Sequence, residues 1–512
     1  MSLPFSRLTF SQVSTPASQT EAKERSVVLL LCFLAALHVF VFAAAFPFFN
    51  VVDEQLHVDL VVHYSHGDVP RALSAPDSEA LPYLIGFGTL EYLYPPTALP
   101  GGHIPPPLWK QPLETAAPFL AARETQWKNH INHEASQPPL YYSLAGAWWR
   151  LGKLLGFGGA AQLYWLRFLN LPLVAGIAWL GWFTARRIFP DNKFIRLAVP
   201  ALVAFLPQTI FYAVNNDILA PLTFGAVFVL LLKVWSAERL TPRLAVTTGL
   251  AFAAAYLTKT SNLPLLAVAA LFLLLKVFLL ARKGRMPASI FPLLMLILTA
   301  GLPMAGWMIW CKIHFGDFTG SDQKIQFLNW RPMPLAEWFH HPLFTPSGAW
   351  YFISRNLSTF WQGEFMWERQ PLALPAVDLT YVALTLGVLA LTLVALPLRP
   401  SPFSSIQRTA IGLGFACVLA AFTFFAWLSV RYDFQDCFYP SRARPFFVSG
   451  RLMLGMLIPF LLLIACGLDR LVRRFQAATK FTLLCALLGF MLASEITIDW
   501  AIFPNEYNWF HL

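Results

Sequence analysis

The chain has 512 residues, of which 57% are hydrophobic and 12% charged, with 18 tryptophans and 46 phenylalanines. Soluble domains carry about 25% charged residues, so the composition excludes a water-soluble globular protein. The net charge of +10 does not point to nucleic acid, because the basic residues form short clusters between apolar runs, where retention on the cytoplasmic side accounts for them.

The first apolar run, Ser26–Phe48, follows Lys23 and Arg25. At about twenty residues it exceeds the core of a signal peptide and reads as an uncleaved anchor. A long hydrophilic stretch, Asn50–Gln162, comes next; a loop of that size inside a compact protein implies function. Near its end Pro138–Phe157 is apolar and aromatic but carries Arg150 and Lys153. The later spans are expected near Leu163–Ala185, Phe194–Ala213, Ile218–Trp235, Leu244–Leu257, Leu263–Ala281, Ile290–Trp310, Val377–Leu398, Thr409–Val430, Leu452–Leu468 and Phe481–Trp500. Leaving Pro138–Phe157 uncounted puts every basic cluster on one side: Arg186, Arg187, Lys193 and Arg196; Arg239 and Arg243; Arg282, Lys283 and Arg285; Arg399 and Arg408; Arg470, Arg473, Arg474 and Lys480. Counting it inverts them all, against the positive-inside rule.

The expectation is therefore an all-α polytopic membrane protein of about eleven spans, N-terminus inside and C-terminus outside, with Pro138–Phe157 an interfacial helix. It divides into a cytoplasmic tail (1–25), a transmembrane module (26–310) with an extracytoplasmic loop (50–162), a second outer loop (311–376) and C-terminal helices (377–512). Six cysteines show neither a disulfide framework nor zinc spacing, and no nucleotide-binding, zinc-protease or nucleophile-elbow motif is present.

The chemistry-bearing residues fall on the outer side. Asp53 and Glu54 lie at the mouth of the first span, where acids are costly to desolvate and mark function; His57 shares a helical face with Asp53. His133 and Glu134 precede Pro138-Pro139-Leu140-Tyr141-Tyr142, whose prolines start the surface helix. Asp217, between the third and fourth spans, returns to the same face as Asp53. Cations are scarce there: Arg167, Lys259, Arg369 and Arg451, placed where a phosphate needs them. Glu364 lies in Trp361-Gln362-Gly363-Glu364-Phe365, with Trp367 close by.

This layout of acidic pair, long first loop, proline-led surface helix, second-span arginine and later acid resembles the GT-C membrane glycosyltransferases, particularly protein O-mannosyltransferases and lipid A aminoarabinose transferases. It is still more similar to a bacterial branch of membrane proteins sharing the layout. The resemblance covers roughly the first 260 residues, then Phe360–Phe365 and Ser449-Gly450-Arg451. It implies a GT-C-like bundle in a bacterial inner membrane with its active site facing the exterior. Asp53 matches the family's catalytic acid, Arg167 its second-span arginine, and Asp217 the acid that helps some members hold a metal. His133 matches the histidine before the proline pair, although Glu134-Ala135-Ser136-Gln137 intervenes here.

The expected reaction is sugar transfer from a polyprenyl-phosphate donor to an extracytoplasmic lipid, glycan or protein. Asp53, aided by Glu54, would serve as base. His57, His133, Glu134, Arg167, Lys259, Glu364 and Arg451 would bind substrate, and Asp217 with Glu54 a Mg or Mn ion. The alternatives are a transporter and a non-catalytic cell-envelope assembly protein. Acids clustered on one face and a long first loop weigh against a carrier.

Overall fold

The computed structural model describes residues 16–284, 289–437 and 439–511; the first fifteen residues of the expected tail and Arg285 of one basic cluster lie outside them. The principal helices in chain order are α1 (Pro16–Ala45), α2 (Glu54–Ser65), α3 (Pro139–Leu154), α4 (Gly159–Arg167), α5 (Asn170–Ile188), α6 (Lys193–Ala204), α7 (Ala220–Ser236) and α8 (Pro242–Thr258). They continue with α9 (Leu263–Arg282), α10 (Ile290–Phe315), α11 (Asp322–Phe327), α12 (Pro346–Gln362), α13 (Pro375–Ala395), α14 (Ser405–Arg431), α15 (Leu457–Leu471) and α16 (Ala477–Ile498). The β-structure among the described residues is limited to two-residue strands, such as Arg331–Pro332 paired antiparallel with Tyr432–Asp433, and isolated bridges.

Nine helical segments among the described residues are long and apolar enough to cross a bilayer: Glu21–Ala45, Gly159–Ile188, Asn216–Ser236, Thr260–Arg282, Ile290–Phe315, Pro375–Ala395, Ser405–Arg431, Gly450–Leu471 and Ala477–Ile498. Each overlaps an expected span. The two other expected spans are shorter helices. α8 has 17 residues, and Gly249 lets it lie against α10, since a Cβ there would sit 2.6 Å from the Leu296 carbonyl oxygen. α6 has 12 residues, about 18 Å of helix. Beyond it the chain runs through Phe205 and Pro207 into a 3-10 turn, Thr209–Tyr212, that is wholly buried. Irregular backbone at such depth is tolerated where protein satisfies it. Asn170 does so, donating to the carbonyls of Phe211 and Ala213 at 3.0 and 2.8 Å, and Gln208 ties the segment to α12 through the carbonyls of Thr359 and Phe360 at 3.1 and 2.7 Å.

The ends of the spans segregate. At one end Glu24 accepts from Arg196 (2.6 Å) and Trp182 (3.0 Å), while Asp469 accepts from Asn192 (2.9 Å) and Lys480 (3.0 Å). This gathers the start of α1, the turn between α5 and α6, and the turn between α15 and α16, where the basic clusters were expected together. At the other end Arg167 reaches the Ala43 carbonyl at 3.1 Å, so residues 50–162 leave and return on one side of the bundle. α3 does not cross. It packs on α2, α4 and α8, and the Trp148 and Trp165 rings stack at 4.2 Å, each indole N–H donating to the other residue's carbonyl (2.7 and 2.8 Å).

Candidate active site

Two ion-pair assemblies stand at the end of the bundle opposite the basic clusters, and they differ in how fully their polar atoms are used. The inner one is Glu54 with Arg167, which are 1% and 0% exposed. Glu54 Oε1 accepts from Arg167 Nε (2.7 Å) and the Val214 amide (3.1 Å). Its Oε2 accepts from Arg167 Nη2 (2.6 Å) and the Phe49 amide (2.8 Å). The remaining guanidinium hydrogens go to the carbonyls of Ala43, Phe46 and Pro47, and the group lies over the Phe48 ring at 4.7 Å. All five donors of the arginine and four acceptor positions of the carboxylate are thus occupied. Glu54 has no lone pair for a proton or metal, and Arg167 no hydrogen for a phosphate. Glu54 and Arg167, expected in catalysis and substrate binding, are here spent on joining the end of α1 and the start of α2 to the end of α4.

The outer assembly centres on Arg451, in the 3-10 segment Gly450–Met456 that leads into α15. Its Nη1 donates to Asp217 at 2.9 Å, its Nη2 to Asp53 at 3.3 Å and its Nε to Glu364 at 3.4 Å. Gly450 permits this approach: a Cβ there would lie 2.3 Å from the Asn356 carbonyl oxygen and the Phe360 amide nitrogen. Asp217 also pairs with the Lys259 ammonium. Asp217, expected with Glu54 to hold a metal, is 1% exposed and held between Arg451 and Lys259, while Glu54 is paired with Arg167. Lys259, expected to bind substrate, is committed to Asp217 and 4% exposed.

Asp53 is placed by strain. It precedes α2 in the left-handed region (φ 63°, ψ 7°), and its side chain makes no cap bond to the helix. A non-glycine residue held there costs of order 1–3 kcal/mol and marks a site the surroundings over-determine. The carboxylate turns to Arg451 and remains 25% exposed.

A third group meets Asp53 from the first loop. The Asp53, His133 and Glu134 ligand atoms all lie within 4.8 Å of one another. α2 brings them together: buried Asp59 accepts from Asn132 at 2.7 Å, and Asn132 also donates to the Leu56 carbonyl at 3.0 Å, which seats the residues just after it. Glu134 accepts from the Lys324 ammonium on α11 and from Gln137. Burial would push its pKa up, but Lys324, His133 and His57 hold it well below the usual carboxylate range. Burial lowers His133, against Glu134; its ring stacks on Phe327 at 5.8 Å. His57, 2% exposed, is brought down to about 4 by burial, which outweighs Glu134 and Asp53, and so is neutral at pH 7. Its Nδ1 meets the Tyr142 hydroxyl at 2.6 Å.

Six of the expected residues therefore converge on Arg451 or beside Asp53: Asp53, His133, Glu134, Asp217, Lys259 and Glu364. Sequence reasoning missed Lys324, Gln137 and Ser449, whose hydroxyl donates to Glu364. For Lys324 the usable signal was the scarcity of outer cations; Gln137 and Ser449 carry none. Another buried polar group, His38 with Glu495 (2.7 Å) and the Tyr212 hydroxyl, ties α1 to α16 and the turn after α6.

Residues 34–432 match the family described as "Predicted membrane protein (DUF2142)". The chain belongs to that family. The matched stretch holds every residue of the outer assembly except Ser449 and Arg451. No curated protein matches the chain significantly.

Proposed function

We propose that this DUF2142 protein is a glycosyltransferase of the GT-C type, taking sugar from a polyprenyl-phosphate donor at the outer face of a bacterial inner membrane and passing it to an extracytoplasmic acceptor. The observation that carries this reading is Arg451, whose guanidinium joins acids from three distant segments at the outer ends of the spans, two of them at 3.3 and 3.4 Å. Charge-assisted bonds normally close to about 2.7–2.9 Å. A donor phosphate entering the membrane plane would displace these two long contacts and leave Asp217 in place. Arg451 then stabilises the leaving phosphate, and Asp53, released from Arg451, takes the acceptor hydroxyl's proton.

The reading assigns the lipid tail to an apolar cleft. This cleft, of about 230 Å³, runs between α6, α13, α15 and α16, from Phe194 and Lys480 at the basic end to Trp361 and Tyr381 at the other. Trp361 stands three residues from Glu364. The test is sugar release from polyprenyl-phosphate donors in isolated membranes, wild type against Asp53→Asn. Release that is equal in the two, or absent from the wild type across hexose and pentose donors, removes the reading.

A further inference from the structure

We propose that Pro334–Trp350, in the second outer loop, is an interfacial segment immersed in the outer leaflet, and that its partner is the acyl chains of membrane phospholipids just below the headgroups. All of 311–376 was expected as an extracytoplasmic loop, yet its composition changes at Pro332. Asp317, Asp322, Lys324 and Arg331 come before; between Pro332 and Trp350 the sole Asp, Glu, Lys or Arg is Glu337. The large apolar side chains there are bare: Leu335 is 71% exposed, Phe339 79%, Phe344 58% and Trp350 49%. The Phe339 and Phe344 rings lie 6.0 Å apart, so the bare surface is contiguous. Water-facing surfaces rarely carry such a patch without a partner.

The depth of the segment is set by α14. That helix starts at the basic end of the bundle, where Gln407 donates to the Ile188 carbonyl at 3.1 Å, so Arg431, its last residue, stands at the outer end. The Met333 amide donates to the Arg431 carbonyl at 2.7 Å, and Arg331–Pro332 pairs with Tyr432–Asp433. Leu335–Trp338 and Pro342–Phe344 both pack on α14, which lays the segment alongside the outer end of a span. Trp427, one turn before Arg431 and with that guanidinium 5.1 Å over its ring, is exposed in the manner of an aromatic-belt residue. Leu419, Thr423 and Trp427, four apart, form an exposed stripe on α14, so the lipid-facing wall of the span reaches the level of the segment. From Pro346, α12 runs across to α13, where Gln362 donates to Asp378 in the first turn at 2.8 Å; both ends of α12 thus meet outer ends of spans.

Two further features suit a medium poor in water. The turn at 335–340 is amphipathic: Leu335 and Phe339, four apart, share one face, and Glu337 and His340, three apart, the other. The backbone is also largely satisfied within the protein, as a lipid environment demands. Pro334, Pro342 and Pro346 have no amide hydrogen, and the amides of Met333, Glu337, His340, His341 and Phe344 donate to carbonyls. His341 accepts the Leu343 amide on Nδ1 at 3.0 Å and therefore carries its hydrogen on Nε2, which donates to the Pro445 carbonyl at 2.9 Å; the imidazole is neutral. The Trp338 indole donates to the Met333 carbonyl at 3.0 Å.

The test uses the purified full-length protein in phospholipid vesicles, with Cys437→Ser and Cys485→Ala removing the two cysteines that are not buried. An environment-sensitive NBD label is attached in turn to Phe339→Cys, Leu335→Cys and Glu337→Cys. Labels at 335 and 339 are expected to show a blue-shifted emission, loss of quenching by aqueous iodide, and quenching by lipids that carry a nitroxide near the top of the acyl chain, at a depth of about 5–10 Å. The label at 337 should stay open to iodide. Two lipid-facing positions keep the test informative if one variant fails to fold. Labels at 335 and 339 that iodide quenches and the nitroxide lipid does not overturn the proposal. In native membranes a p-benzoylphenylalanine in place of Phe339 should cross-link to phospholipid; an adduct with protein, whether a second copy of this chain or another partner, overturns it as well. No transfer assay enters, so this proposal and the transferase reading stand or fall separately.

Discussion

Replacing Asp53 with Asn separates chemistry from folding more cleanly than any other change at this site. Asn keeps the shape of Asp and tolerates the left-handed backbone that residue 53 adopts at φ 63°. The folded state loses one long, partly exposed contact of 3.3 Å to Arg451. That arginine keeps Asp217 at 2.9 Å, so the stability cost is about 0.5–1.5 kcal/mol. On the proposed reading the expected catalytic loss is far larger: an amide cannot accept the acceptor's proton, and general base catalysis contributes about 10²–10⁴-fold. Turnover in membranes should fall by that factor while the yield of inserted protein and its thermal unfolding midpoint stay near wild type. If Asn at 53 retains more than about a tenth of wild-type turnover, Asp53 is not the base. If turnover and stability collapse together, its role is structural.

Glu54→Gln should do the opposite, leaving the fully buried Arg167 guanidinium uncompensated at about 3–5 kcal/mol; the measure is loss of folded protein in thermal or denaturant unfolding, and a well-folded variant with reduced turnover would return Glu54 to the chemistry. Arg451→Lys keeps the charge but cannot bridge three carboxylates, so turnover should drop at least about tenfold with the fold retained by the Lys259–Asp217 pair; unaltered kinetics would remove Arg451 from phosphate stabilisation. A cysteine placed at Lys283 should react with an impermeant maleimide only from the cytoplasmic side, and one at Glu114 only from outside; labelling of position 283 in intact cells would break the proposed sidedness.

Most of the helical layout was legible because membrane spans leave a strong, local signal. Runs such as Ile290–Trp310 need only be long and apolar. The segment Phe194–Ala213 shows the limit: hydropathy sees one run, but α6 stops at Ala204, since Pro207 removes a backbone donor and Gln208 offers side-chain bonds to α12 instead. The candidate site was legible as a set of outer-face charges and illegible as pairings. Asp53 and Glu54 are neighbours in sequence with opposite fates, because the left-handed residue at 53 turns one carboxylate toward Arg451 while the first turn of α2 turns the other into the protein. Nothing local in the sequence marks that turn. Lys324 and Glu134 are separated by 190 positions, and only the folding of the second outer loop onto the first makes them partners.

Saturation distinguishes the two assemblies more reliably than burial does. Arg167 and Arg451 are both buried arginines facing acids, and both fit the idea of a phosphate-binding cation. Arg167 spends all five donors on bonds that fix the end of α4 against the end of α1 and the start of α2, and withdrawing any of them would strand a buried carbonyl or carboxylate. Arg451 spends three, two of them stretched, on carboxylates that are 25% and 17% exposed and that water can re-solvate when the arginine leaves. A ligand anion competes on nearly even terms for the second guanidinium and on ruinous terms for the first. On the proposed reading substrate chemistry at this face runs through Arg451 and Asp53, while the Glu54–Arg167 pair holds the ends of the helices in place.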